Sequence, residues 1–363
     1  LLRCLPYSFR SLTEIVPLLY RVLLPASLRY RVAHRTLIRI INISKGIFMN
    51  FGYDIPTRGP LASPENITAI AQRGEELGFG TAYVNDHIVV PRDIASRYPY
   101  SEGGDWAGGR FGEAMDILSM LAFLAAATSK VRLLTSVMVV PYRQPVVTAK
   151  MIATIDVLSN GRLTIGCGVG WMEEEFVAVG APPFSERGKC TDEYLEIFRE
   201  IWTAEMPTFS GDFAEFSNIA ALPQPKQSPL PIWIGGESRP ALRRTARYGD
   251  GWYPIGYNPK FPLDTISRFK KRLSALHEEA ERINRDPSTI SLAYNSTWYG
   301  GICEPVNVDG ARRLFTGGVD DFKADLAALQ ALGVETFMFR FVGKTMSETN
   351  DAMTEFAANY ISG

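Results

Sequence analysis

The sequence is poor in the residues on which most metal and nucleophile chemistry depends. Its 363 residues include three histidines and four cysteines. His34, His87 and His277 have no second histidine at ligand spacing, which argues against a metal site. Cys4, Cys167, Cys190 and Cys303 lie far apart, without the close pairs of a zinc site or a disulfide framework, so a reduced cytoplasmic setting is expected. Cys167, between two glycines in an apolar run, reads as a small buried hydrophobe. No Gly-x-Ser-x-Gly elbow offers a hydrolase nucleophile, and no Gly-Lys-Ser/Thr element offers a P-loop. A net charge of −1 gives no basic surface for nucleic acid. The expected partner is a small molecule, and a homodimer is compatible with the composition.

That charge is unevenly distributed. Residues 1–48 carry seven Arg and one Lys against the single acid Glu14, leaving −8 on residues 49–363. The first segment is rich in Leu, Ile and Val and interrupted by Pro6, Pro17 and Pro25. It fits a transit-type or membrane-surface segment, but its charges break any apolar run of the roughly 20 residues a bilayer requires, so stable insertion is not expected. Met49 stands directly before the first convincing strand. Residues 1–48 are therefore expected to be a dispensable extension, and residues 49–363 the folded domain.

From Met49 onward, short β-rich runs alternate with helical patterns, the signature of a parallel sheet. Strands are expected at 49–55, 81–87, 131–140, 162–169, 230–235, 250–256, 288–295 and 335–342. The first helix, 64–77, has Ser63 as its cap, Pro64 at its first position and Gly78 as its stop. Eight such units fit a (β/α)8 TIM barrel with insertions better than a doubly wound sheet. The long stretches 89–111, 204–229 and 296–319 read as lids or substrate walls, the second with a small hairpin around Gly211-Asp-Phe213.

Three constellations stand at expected strand ends. Asn85-Asp-His87 delivers ionisable groups where an apolar strand stops, although His87 by itself reads equally well as a strand-end histidine bonded to a backbone carbonyl. Gly166-Cys-Gly-Val-Gly-Trp171 and Gly235-Gly-Glu-Ser238 are glycine loops, the second opening a helix, which suits a phosphate. Glu173-Glu-Glu175 reads as surface acid matched to a helix dipole.

These motifs, with Thr135-Ser-Val137, Pro231-Ile-Trp-Ile234 and Ala246-Arg-Tyr-Gly-Asp-Gly-Trp252, resemble the luciferase-like monooxygenase superfamily over nearly all of residues 49–363, and Arg187-Gly-Lys-Cys-Thr-Asp-Glu-Tyr194 is most similar to its coenzyme F420-dependent branch. The resemblance implies a (β/α)8 oxidoreductase. It implies His87 near the reactive ring carbon as an acid/base or electrostatic residue, oriented by Asp86. It also implies a non-proline cis peptide at Ser136-Val137 backing the ring, and cofactor phosphate held by Gly168, Val169, Gly170, Gly235, Gly236, Glu237 and Ser238.

Sugar-phosphate dehydrogenases of the superfamily carry a glutamate after the strand-four glycines. Trp171 stands there instead, which speaks against a glucose-6-phosphate type activity. Trp171, Trp106, Tyr142 and Trp298 suggest an aromatic substrate pocket. The leading expectation is hydride transfer between F420 and a small organic substrate. The alternatives are an FMN-dependent monooxygenase using reduced flavin and O2, or a flavin-binding barrel without catalysis.

Overall fold

The computed structural model describes residues 49–362 apart from 298 and 302. The expectations placed on residues 1–48 and on Trp298 lie outside the described residues. Eight parallel strands close a barrel: β1 (Asn50–Asp54), β2 (Thr81–Val84), β3 (Arg132–Val139), β4 (Leu163–Gly168), β7 (Ile232–Gly235), β8 (Gly251–Tyr253), β9 (Ser291–Asn295) and β12 (Val334–Phe339). Going round the barrel, the order is β1-β12-β9-β8-β7-β4-β3-β2. All eight expected strands are present, each shorter than expected by two to four residues, and β12 starts one residue earlier, at Val334.

The helices begin where short-range capping chemistry dictates. In α1 (Pro64–Glu76) the Ser63 hydroxyl accepts the Asn66 N–H at 3.3 Å, with Pro64 at the first position. Then follow α2 (Ile117–Ala127), capped by Asp116, and α3 (Pro145–Leu158), capped by Gln144. The outer layer continues with α4 (Glu173–Ala178), α5 (Arg187–Thr203), α6 (Arg239–Tyr248), α7 (Ile266–Glu281), α8 (Val319–Ala331) and α9 (Met346–Tyr360).

The expected hairpin is present as β5 (Phe209–Ser210) against β6 (Glu215–Phe216), and the 296–319 stretch holds a second, β10 (Asn307–Val308) against β11 (Ala311–Arg312). Inside the barrel, Tyr83, Leu134, Tyr253, Ala293 and Met338 from five strands form a buried layer, with Val137 and Trp233 packed on it. Among the described residues no helix is long and apolar enough to cross a membrane.

Candidate functional site at the barrel mouth

The mouth is organised by an irregularity in β3. The Ser136-Val137 peptide is cis, as the resemblance implied, and the β3–β4 register shifts between Thr135 and Met138. The bulge brings Val137 against three glycines of neighbouring strands. A Cβ on Gly166 would lie 3.3 Å from Val137, one on Gly168 2.5 Å, and one on Gly235 3.1 Å. These glycines therefore first make room for the bulge, by close approach. Below it, the Ser136 and Tyr253 hydroxyls are 2.8 Å apart, and Asn295 Nδ2 donates to Tyr253 at 3.0 Å. Burial pushes the Tyr253 phenol well above its usual pKa, so it stays a neutral donor and acceptor.

His87 lies three residues beyond the end of β2 and is buried, its ring centroid 4.2 Å from that of Trp106 and 6.3 Å from that of Trp171. Its Nδ1 bonds Glu175 Oε2 at 2.7 Å. The same carboxyl accepts two backbone N–H groups and a hydroxyl, so it acts as an acceptor here and the tautomer that fits has the proton on Nδ1; no protein group bonds Nε2 among the described residues. Glu175 is itself fully buried and accepts three more donors, the Tyr142 hydroxyl at 3.0 Å and the N–H groups of Ile88 at 2.7 Å and Val89 at 3.3 Å. Next to these bonds, burial is the largest cause raising the Tyr142 pKa, and the Glu175 charge adds to it.

Two expectations are corrected here. Asp86 does not bond the His87 ring. In an extended segment adjacent side chains point to opposite sides, and Asp86 faces Arg143, whose Nη1 and Nη2 meet its two oxygens at 2.8 Å each, while the Val139 N–H donates to it at 2.8 Å. Arg143 also holds Asp116 at 2.9 Å, so Asp86 fastens the backbone beside His87 to β3 and to the start of α2. Tyr142 is likewise no pocket wall, being buried against Val139 and Phe176 beneath Glu175.

The three glutamates opening α4 were expected at the surface, yet only Glu173 is exposed. Glu174 accepts the N–H groups of Ala95 and Ser96 from the long loop after β2. The helical period could have revealed Glu175: Met172 and Phe176 mark the inward face, and Glu175 lies on its flank. Sequence reasoning also missed Tyr253 and Asn295, which carry no motif. Trp106 and Trp171 do meet, 5.8 Å apart, with Tyr98 5.1 Å from Trp171. Together they make an aromatic wall around His87.

On the opposite rim, Gly235-Gly-Glu-Ser238 leads into α6, where the Ser238 hydroxyl accepts the Ala241 N–H at 3.4 Å. The N–H groups of Gly236, Ser238 and Arg239 bond no group among the described residues, as an anion cradle requires. Gly236 has φ +100°, a conformation glycine tolerates. The Glu237 side chain turns away into the interior, accepting from Ile255 N at 2.7 Å and Asn258 Nδ2 at 2.6 Å.

Burial pushes the Glu237 carboxyl up to about 7, against the pull of those bonds and of Arg272. Because the folded value exceeds the unfolded one, its contribution to stability is complete below about pH 4.5 and is lost as the pH rises through about 7. Glu237→Gln should therefore gain on the parent between pH 5 and pH 8, by on the order of 2 kcal/mol in denaturant unfolding. An advantage independent of pH would show that the carboxyl titrates normally.

Comparisons with known proteins bear on the family and the fold. Residues 46–301 match the family model described as luciferase-like monooxygenase. A Mycobacterium tuberculosis protein described as uncharacterized is 35% identical over 185 residues, 51% of this chain, and the chain spans 65% of that relative's length. An F420-dependent glucose-6-phosphate dehydrogenase of Amycolatopsis mediterranei is 30% identical over 52% of this chain and 53% of its own. An FMNH(2)-dependent dimethylsulfone monooxygenase of Pseudomonas fluorescens is 39% identical over 44% of this chain and 43% of its own. Among solved structures, an F420-dependent secondary alcohol dehydrogenase superposes with a TM-score of 0.65 at 17% identity, covering 86% of this chain and 98% of that one; at that identity the likeness speaks for the fold alone.

Proposed function

We infer the activity from membership: the chain belongs to the luciferase-like monooxygenase family, and we propose that it is an F420-dependent oxidoreductase moving a hydride between the deazaflavin and a small organic substrate. The observation that carries the reading is the His87–Glu175 pair, an imidazole whose proton is fixed at Nδ1 by a buried carboxylate beside the β3 bulge.

The residues fit such a cofactor. Val137 and Ser136 would back the ring, and the unbonded N–H groups of Gly236, Ser238 and Arg239, with the backbone of Gly168 to Gly170, would hold the phosphate. When bound, the deazaflavin supplies or accepts the hydride at C5. With Nδ1 donating to Glu175, Nε2 of neutral His87 would take the proton of a substrate hydroxyl as hydride leaves the substrate; in the reverse direction the resulting imidazolium, held by Glu175, would return that proton to the substrate oxygen. Trp106, Trp171 and Tyr98 exclude water from that exchange.

A second reading, an FMN-dependent monooxygenase, is favoured by the 39% identity to the dimethylsulfone enzyme. Separate titrations of F420 and FMN into the full chain, followed by fluorescence quenching, distinguish the two. Micromolar binding of F420 alone is expected; FMN alone supports the second reading, and binding of neither overturns both. Gly236→Val places a β-branched side chain at φ +100° in the cradle, its Cβ 3.2 Å from Ala241. It should weaken cofactor binding at least tenfold, about 1.4 kcal/mol. An unchanged dissociation constant in a folded variant would move the phosphate elsewhere.

A further inference from the structure

Arg58 follows β1 in a loop at the mouth and is partly buried. Its guanidinium carbon stands 5.0 Å from the centroid of Trp106, the ring that packs on His87. A Cβ at Gly108 would fall 2.7 Å from its Nη1, so the loop after β2 covers it. Its one hydrogen bond is a long one, 3.4 Å to the neighbouring Thr57 hydroxyl, and no carboxylate lies within ion-pair distance of it among the described residues.

The acids around it are already engaged. Asp54 has Arg340 at 3.1 Å and the N–H groups of Phe341 and Val342, Asp86 has Arg143, and Glu175 has His87 and Tyr142. Burial pushes the Arg58 pKa down and the like charge of Arg340 adds to it, against the pull of Tyr98, Glu175 and Asp86. A largely desolvated guanidinium with no carboxylate at ion-pair distance is costly unless a ligand brings the counter-charge.

We propose that Arg58 receives an anionic group of the substrate, so that the substrate is an organic anion whose aromatic or apolar body lies against Tyr98, Trp106 and Trp171. The inference rests on the reading of this mouth as the substrate side of an oxidoreductase site. A carboxylate, sulfonate or phosphate each meets a guanidinium fork in the same way.

The test is calorimetric, with benzoate, benzenesulfonate and phenyl phosphate as probes and neutral benzamide as their control, each added to the full chain. At least one anion should bind tenfold or more tighter than benzamide. Arg58→Met should remove that preference, and Arg58→Lys should keep part of it. If Arg58→Met does not fold, Arg58→Gln, which can still bond Thr57, serves the same comparison.

No preference in the parent, or a preference that survives in the neutral variant, overturns the proposal. So does an Arg58→Met variant that loses F420 or FMN affinity while keeping the anion preference, because the anion served would then be the cofactor's. Cofactor titration of the parent is a separate measurement. Its failure would strike the cofactor assignment and leave the probe result standing.

Discussion

Replacing His87 with alanine is expected to lower turnover by roughly 10² to 10⁴ while changing cofactor affinity far less. The expectation follows from the acid/base role proposed for the imidazole. Nδ1 bonds Glu175, Trp106 packs on the ring, and no protein group bonds Nε2 among the described residues. His87→Asn provides the contrast: an amide can still donate to Glu175, but it cannot carry a proton to substrate. If single-turnover rates of the asparagine variant stay within a few-fold of the parent, His87 only packs and bonds, and the acid/base role fails.

Replacing Glu175 with alanine is expected to cost about 3 to 5 kcal/mol of stability, because it strands four donors in a buried site. His87 Nδ1, the Tyr142 hydroxyl and the Ile88 and Val89 N–H groups all lose their acceptor at once. Denaturant unfolding measures this directly, and a loss below about 1 kcal/mol would show that water replaces the carboxylate readily. His87→Ala leaves Glu175 with three of its donors, so its unfolding free energy should fall much less. The two variants therefore separate chemistry from scaffolding: one loses rate and keeps stability, the other loses both.

How much of this the sequence disclosed depends on the range of the interaction that decides each feature. The eight strands and the start of α1 rest on local signals, such as Ser63 before Pro64 or the apolar run around Leu133, and were legible. The strand ends were read too long because Asn85 to His87 continues an extended pattern after the ladder with β3 has stopped at Val84. The partner of His87 was misassigned because Asp86 is its neighbour in sequence, whereas Glu175 is 88 residues away and hidden within three like residues. Glycines 166, 168 and 235 were read for what they leave open, when their spacing also answers to Val137, a residue on another strand. Arg58 carries no motif at all. It becomes visible only when the ion pairs around it have been assigned.

Two of the three aromatic side chains around His87 come from a different part of the chain than Glu175 does. Tyr98, Trp106 and the turn over Arg58 lie within the long insertion that follows His87, while Trp171, Glu175 and the bulge of β3 belong to the barrel and its short connections. The insertion is fastened by a few bonds, to Glu174 near one end and, at its far side, from the Tyr257 hydroxyl, which donates to Glu102 in an exposed bond. Exchanging residues 90–112 for another segment of matching ends would replace Tyr98 and Trp106 while leaving the His87–Glu175 bond and Trp171 in place, a route by which one scaffold can vary the lining of its mouth through a single recombination.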